Sequence, residues 1–252
     1  MKPIIIGNWK MKLNYQQSKT LAQELANLAN PVDTSNNDIV VCPLHSAFLL
    51  VREILKDSGI KMGVQDIFWE ESGAFTGCES PKFLADAGCQ YAIIGHSERR
   101  QYLGETNEWI HKKIKGALDN GIVPILCVGE TFSERQQGLT DYIILNQVIK
   151  ALSGIDLVAG EELVIAYEPV WVIGSGRAID PAEAEQAFRV IRQAVIDLWP
   201  LTIVETNVRI IYGGSIDASN FREFIDLEYF AGFLVGGASL SSQEFWQIIK
   251  NI

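Results

Sequence analysis

A lone carboxylate, Glu168, stands at the end of the apolar strand Leu163–Ala166, directly before the loop Pro169-Val170-Trp171-Val172-Ile173-Gly174-Ser175-Gly176-Arg177. An acid placed among Ile, Val and Trp side chains loses water. Desolvation pushes a carboxyl toward the range in which it works as a base near neutral pH. The loop has two glycines and no long charged stretch, the make-up of a mobile lid. Polar residues stand just past apolar runs elsewhere too: Asn8 and Lys10, Gln65, His96 and Glu98, Cys127, and the turns Gly213-Gly214-Ser215 and Gly236-Gly237. Gly-rich turns that open onto helices present backbone N–H groups to an anion, so the ligand is expected to carry a phosphate. A base, a cation, an imidazole and an anion pocket suit proton abstraction next to a carbonyl.

These residues need a scaffold that gathers them. Short apolar runs recur at intervals of very roughly 30 residues, the length of one βα unit. The predicted strands are Ile4–Gly7, Ile39–Cys42, Lys61–Gln65, Tyr91–Ile94, Val123–Cys127, Leu163–Ala166, Arg209–Tyr212 and Gly232–Val235. Several are unbroken hydrophobic runs, as expected of parallel strands buried on both faces. Between them lie helical patterns. In Pro181–Leu198 the residues Ala184, Ala187, Phe188, Ile191, Val195 and Leu198 share one face, and Asp180-Pro181 is a start signal. Ser80-Pro81, Thr106 and Asp217 are read as further helix starts. No linker or low-complexity segment divides residues 1–252, so a single closed (β/α)8 barrel of the α/β class is expected, in which all strand ends meet on one face. An open doubly wound sheet uses fewer strands and leaves part of the chain without a role.

Composition narrows the partners. Of 252 residues 48% are hydrophobic and 21% charged, and the net charge is -10, which argues against nucleic acid or an anionic membrane as partner. No apolar run reaches the roughly 18 residues of a spanning helix. The N-terminal apolar run is too short for a secretory signal. Cys42, Cys78, Cys89 and Cys127 have irregular spacing and there are only three histidines, so neither a metal site nor a disulfide framework is expected, and a cytoplasmic setting is. An anionic substrate then needs a locally positive pocket.

Gly7-Asn8-Trp9-Lys10-Met11, Ile94-Gly95-His96-Ser97-Glu98-Arg99-Arg100, Cys127-Val128-Gly129-Glu130-Thr131, the Tyr167–Gly176 run, Tyr212-Gly213-Gly214-Ser215 and Gly236-Gly237-Ala238-Ser239-Leu240 together resemble the triosephosphate isomerase family, in the same order and over nearly the whole chain. The resemblance implies a TIM barrel that interconverts dihydroxyacetone phosphate and D-glyceraldehyde 3-phosphate through an enediol, in glycolysis and gluconeogenesis, without metal or organic cofactor. It assigns the shuttling base to Glu168 and a neutral, carbonyl-polarising imidazole to His96, a pairing that belongs to the family and comes with the resemblance. Lys10 and Asn8 donate toward the enediolate oxygen, and Glu98 holds Lys10. Gly174, Ser215, Gly236 and Gly237 match phosphate-binding N–H positions. Trp171 and Ile173 match the lid, and Ile173 with Leu234 the apolar clamp over the base. A homodimer is also implied, with Thr76 on the third loop reaching the partner's Asn8 and Lys10 region.

Several positions depart from the family. Cys78 stands where Glu usually pairs with an arginine of the Ser-Glu-Arg-Arg segment, and Lys12 and Asp66 stand where Asn is usual. Either Lys12 and Asp66 form a new pair or the dimer is weaker. Val172, in place of Ala, and Arg177-Ala178-Ile179 at the hinge are expected to slow the lid. Ala231 replaces an Asp, which leaves Arg192 without its usual partner. Taken singly, His96 reads as a satisfied core histidine, Lys10 as a solvated lysine, Glu98 as a helix N-terminal charge and Cys127 as a packing residue. His45 and His111 carry no expected role. A metabolite-sensing barrel would have lost Lys10, His96 or Glu168. An aldolase would want a lysine in mid-strand, whereas Lys61 only begins one.

Overall fold

The computed structural model describes residues 1–29, 36–174 and 178–252. Eight parallel strands close into a barrel in chain order: β1 (Ile4–Asn8), β2 (Asp38–Cys42), β3 (Lys61–Val64), β4 (Tyr91–Ile94), β5 (Val123–Val128), β6 (Leu163–Tyr167), β7 (Val208–Tyr212) and β8 (Phe230–Val235). The seam pairs Ile5 with Phe233 and Gly7 with Val235. Gly232 makes this closure possible. Its φ is +144°, and a Cβ there would lie 1.8 Å from the Ile4 carbonyl oxygen.

Around the barrel, among the described residues, run α1 (Tyr15–Ala29), α2 (Phe48–Leu55), α3 (Pro81–Asp86), α4 (Ser97–Leu103), α5 (Asn107–Asp119), α6 (Phe132–Gln136), α7 (Thr140–Leu152), α8 (Pro181–Leu198), α9 (Leu201–Asn207) and α10 (Ser242–Lys250). Alternate strand residues face opposite ways and form two apolar layers. Ile4, Ile6, Val40, Ile93, Val164 and Ile211 fill the barrel, while Ile5, Val41, Ile94, Leu126 and Ile165 pack outward beneath the helices. Burial on both faces explains why the strands read as continuous apolar runs. Helix α8 lies where its periodicity places it, capped by the Asp180 carboxylate, which accepts from Ala182 N at 2.9 Å. Ser80 and Thr106 cap α3 and α5 through bonds from Phe83 N (3.2 Å) and Trp109 N (3.3 Å).

The expected helix at Asp217 does not form. Its carboxylate accepts from Ser219 N at 2.7 Å, which makes a local turn, and only a one-turn 3-10 helix, Phe221–Glu223, follows. A side chain satisfied two residues ahead competes with helix initiation. β3 stops at Val64 rather than Gln65, and the Gln65 side-chain amide donates to the Lys10 and Cys42 carbonyls at 2.9 and 3.0 Å. Arg192 is not left alone by Ala231. Its Nη2 stands 3.6 Å from Glu205, and its guanidinium lies 4.6 Å over the Tyr229 ring. The barrel floor is charged. Arg209, 2% exposed, meets Asp38 at 2.7 Å and Glu162, and Asp38 also binds Lys61 at 2.8 Å.

Candidate active site

The strand ends open into one cavity of about 510 Å³. It is lined by Asn8, Lys10, His96, Glu98, Glu168, Ile173, Gly174, Ser215, Leu234, Gly236 and Gly237, which brings every predicted catalytic and phosphate-binding residue to one place. The closed topology does this: residues as far apart as 8 and 237 end strands that are neighbours in the ring.

Glu168 is 1% exposed. Its backbone N–H donates to the Val128 carbonyl at 2.7 Å, and Gly129 gives it room, since a Cβ there would lie 1.8 Å from the Glu168 oxygen. One carboxylate oxygen, Oε2, accepts from Ser97 N at 2.9 Å, in the first turn of α4. The other, Oε1, lies 3.2 Å from His96 Nε2, yet has no well-aligned hydrogen bond. A buried carboxylate oxygen without a full partner is uncommon, and this one faces the cavity, where it is available to something that binds.

His96 caps α4. Its Nδ1 accepts from Glu98 N at 3.2 Å, which puts the single ring proton on Nε2, the nitrogen that faces Glu168. The imidazole is thus a neutral donor, even with the Glu98 carboxylate 3.7 Å from Nδ1. Lys10 holds a left-handed backbone, φ +50°, a conformation costing about 1–2 kcal/mol in a residue with a Cβ. Asn8 Oδ1 accepts from Lys10 N at 3.1 Å and Gln65 donates to the Lys10 carbonyl, so the strain is held from both sides. The ammonium meets Glu98 Oε1 at 2.7 Å. Burial pushes the Glu98 carboxyl up, but the hydrogen bond and charge of Lys10 outweigh it and hold the group below its ordinary range. Cys127 is fully buried inside the barrel, and burial followed by the Glu168 charge pushes its thiol far up, so it packs as a neutral group.

The expected positive pocket does not come from side-chain charge. Lys10 and Lys12 share the cavity with Glu98, Glu168, Asp217 and Glu244. The lining groups suited to attract an anion are then the backbone N–H groups at Ser215 and at Gly236-Gly237, the latter opening the one-turn helix Gly237–Leu240. Lys12 forms no pair with Asp66 either. Asp66 instead binds Lys113 at 2.6 Å and Arg99 at 2.7 Å, and Glu105 closes the group by pairing with both Lys113 and Arg99. His45 and His111 serve backbone carbonyls of Asp66 and Ala151 at 2.8 and 3.1 Å.

Trp171 lies on the lid without lining the cavity. Its indole N–H donates to Glu130 Oε1 at 2.9 Å, and Arg135 stacks on the ring at 4.4 Å. Glu130, fully buried, also accepts from the Tyr167 hydroxyl at 3.2 Å. Tyr212 Oη accepts from Ile179 N at 3.5 Å at the far end of the lid. Glu130 and Tyr212 carried no predicted role. The one local hint is the Thr131–Glu134 capping box, which fixes the chain just after Glu130. Ser175, Gly176 and Arg177, and with them the Arg177 part of the expected hinge, lie outside the described residues. Thr76 sits away from the cavity, on the exposed loop.

A (β/α)8 barrel whose strand-end cavity sets a buried carboxylate against a neutral imidazole and a clamped lysine, beside the Gly-rich turns at Ser215 and Gly236-Gly237, fits the class of sugar-phosphate isomerases that work by proton transfer. The comparisons with known proteins narrow the class. Residues 3–252 match the family model described as triosephosphate isomerase. Relatives of that name include one from Dictyoglomus thermophilum, 42% identical over 250 residues and covering 99% of each chain. The one from Carboxydothermus hydrogenoformans is 44% identical over 249 residues, 99% of this chain and 98% of its own. That of Geobacter metallireducens is 41% identical over 248 residues, 98% of both. The chain belongs to the triosephosphate isomerase family.

Proposed function

We propose that this chain interconverts dihydroxyacetone phosphate and D-glyceraldehyde 3-phosphate, as a step of glycolysis and gluconeogenesis, with Glu168 as the base. The observation that carries the base is the buried Glu168 Oε1, which lacks a well-formed donor and lies 3.2 Å from His96 Nε2. Substrate draws the carboxylate off Ser97 N and presents a carbon-bound proton to it. His96 Nε2–H donates to the carbonyl oxygen, and Lys10 with Asn8 receives the charge as the enediolate forms. Each such donor supplies about 3 kcal/mol. The N–H groups of Gly174, Ser215, Gly236 and Gly237 hold the phosphate. Ile173 and Leu234 close over Glu168 and exclude water, which strengthens the base and protects the enediol from losing phosphate. No metal or organic cofactor takes part in this scheme.

The test compares wild type with Glu168→Gln on glyceraldehyde 3-phosphate. Fast wild-type turnover and a variant slower by several orders of magnitude are expected. A folded wild type that binds phosphate and does not turn over removes the assignment.

The same reading includes a homodimer through the loop around Thr76. Supporting it are exposed apolar side chains on the third loop and nearby, Phe75 and Met11 among them. With Arg99 held inside its own chain by Asp66, the arginine no longer depends on a partner at position 78. Sedimentation equilibrium at micromolar concentration is expected to give a dimer; a monomer there would sink this part.

A further inference from the structure

Arg100 follows the His96-Ser97-Glu98 turn on α4, and the mechanism above gives it no task. Its side chain is partly buried, and burial pulls the guanidinium below its ordinary pKa, a shift that leaves it charged at neutral pH. Among the described residues no carboxylate lies within ion-pair distance of it. Its donors go instead to neutral acceptors: Nε to the Gly95 carbonyl at 2.8 Å, Nη2 to the Cys127 carbonyl at 3.0 Å, and Nη1 to Asn107 Oδ1 at 2.7 Å. A buried charge without a counter-ion in contact is costly and calls for an explanation.

The two carbonyls supply it. Gly95 is the residue joined directly to His96, and Cys127 ends the barrel-facing side of β5 beside Glu168. Val128, the next residue, receives the Glu168 backbone N–H at 2.7 Å. One rigid planar fork thus ties the peptide that carries the imidazole to the end of β5, on which the backbone of the base is hung. Gly95 is shaped around the fork. Its φ is +73°, and a Cβ there would meet Arg100 Nη2 at 3.1 Å and Ile110 Cδ1 at 2.6 Å. The carboxylates whose charges bear on Arg100 are Glu168 and Glu105. Of these, Glu105 is already paired with Arg99 and Lys113.

We infer that Arg100 is a positioning residue for the proton transfer: its fork sets His96 against Glu168. The inference rests on the isomerase reading. It goes beyond that reading in assigning the geometry of the base–imidazole pair to a residue that touches no substrate.

The test is a set of variants assayed for kcat and KM, with the 15N shifts of the His96 ring read alongside. Arg100→Gln removes the charge and most of the fork. It is expected to lower kcat by at least about 30-fold with KM within about threefold, as misplacement of reacting groups does, and to move the His96 ring shifts. Arg100→Lys keeps a point charge but cannot span both carbonyls in one plane. Its kcat is expected to fall to an intermediate value, with KM again within about threefold. Asn107→Ala unties one arm only and lowers kcat by about two- to fivefold.

A folded Arg100→Gln with wild-type kcat overturns the inference. So do equal kcat losses in the Gln and Lys variants with the His96 ring shifts unmoved, which is the signature of a merely structural role. Where Arg100→Gln fails to fold, wild-type kcat in Arg100→Lys overturns it. A wild type without turnover refutes the isomerase reading instead. The Arg100 inference is then decided by the 15N shifts of the His96 ring, expected to change in Arg100→Gln and to hold in a variant remote from α4.

Discussion

The bond between the Trp171 indole and Glu130 is read as a latch, and Trp171→Phe isolates it. The indole sits on the one-turn helix Val170–Val172, between the fixed Glu168 and the cavity-facing Ile173. Movement of the lid must carry the ring and break the 2.9 Å contact. Phenylalanine keeps most of the volume, the stacking under Arg135 and the packing on Phe132, so the hydrogen bond is the main loss. A hydrogen bond to a carboxylate contributes about 1.5–3 kcal/mol, against about 0.5–1.5 for a neutral acceptor. The former shifts a two-state lid by roughly 10- to 150-fold. Burial pushes the Glu130 carboxyl above its usual range, despite the donors from Trp171 and Tyr167. As pH rises through that raised pKa, the acceptor becomes ionised and the latch tightens. The ligand-free protein is therefore expected to hold the observed lid position more firmly above that raised pKa than below it. Relaxation dispersion on the Ile173 and Gly174 amides reads the populations. In Trp171→Phe the observed position loses population, its pH dependence flattens, and kcat and KM fall together because reopening has lost its reward. Unchanged populations with unchanged kcat and KM would refute the latch.

Two further outcomes follow from the charges. Burial pushes the Asp38 carboxyl up, yet hydrogen bonds from Lys61 and Arg209 outweigh it and leave it below its ordinary range, so its contribution to stability is present above the unfolded pKa and is lost as pH falls through the lowered one. Asp38→Asn is expected to cost about 3 kcal/mol at neutral pH in urea unfolding, because Arg209 stays buried with less compensation; a deficit that does not shrink below about pH 3 would contradict this. Glu98→Gln removes the partner of Lys10, and since Glu98 is 44% exposed the loss of stability is about 1 kcal/mol or less. Its kcat should nevertheless fall by roughly tenfold as the ammonium loses its fixed direction; thermal unfolding shifted by more than about 4 °C, or wild-type kcat, would count against the positioning role.

Much of the lid's expected slowness rested on Val172 and Ile179, and both are buried in the outer core rather than held loosely at a hinge. That packing adds a second resistance to motion, one that β-branching alone does not express. Reverting both to Ala should quicken lid exchange and leave chemistry near normal; no change in exchange would separate the two residues from the lid.

The strands, the barrel and the set of residues at its mouth were legible in the chain because each follows from local pattern. Apolar runs buried on two faces show no alternation. Asp180-Pro181 starts α8, and a polar residue just past such a run falls on one rim once the sheet closes. The helix expected at Asp217 failed on a local competition, a carboxylate satisfied by Ser219 N, which sequence signals for helix starts do not distinguish from a cap. Other features were decided only by the tertiary structure. Asp66 turned to Lys113 and Arg99 rather than to Lys12, Trp171 found Glu130 forty-one positions away, and Arg100 reached Cys127 twenty-seven positions away on β5. Periodicity and caps act between residues a few positions apart and so are written in order along the chain. Partners of buried charges are chosen by distance and desolvation inside the folded barrel, where neighbours in space are strangers in sequence.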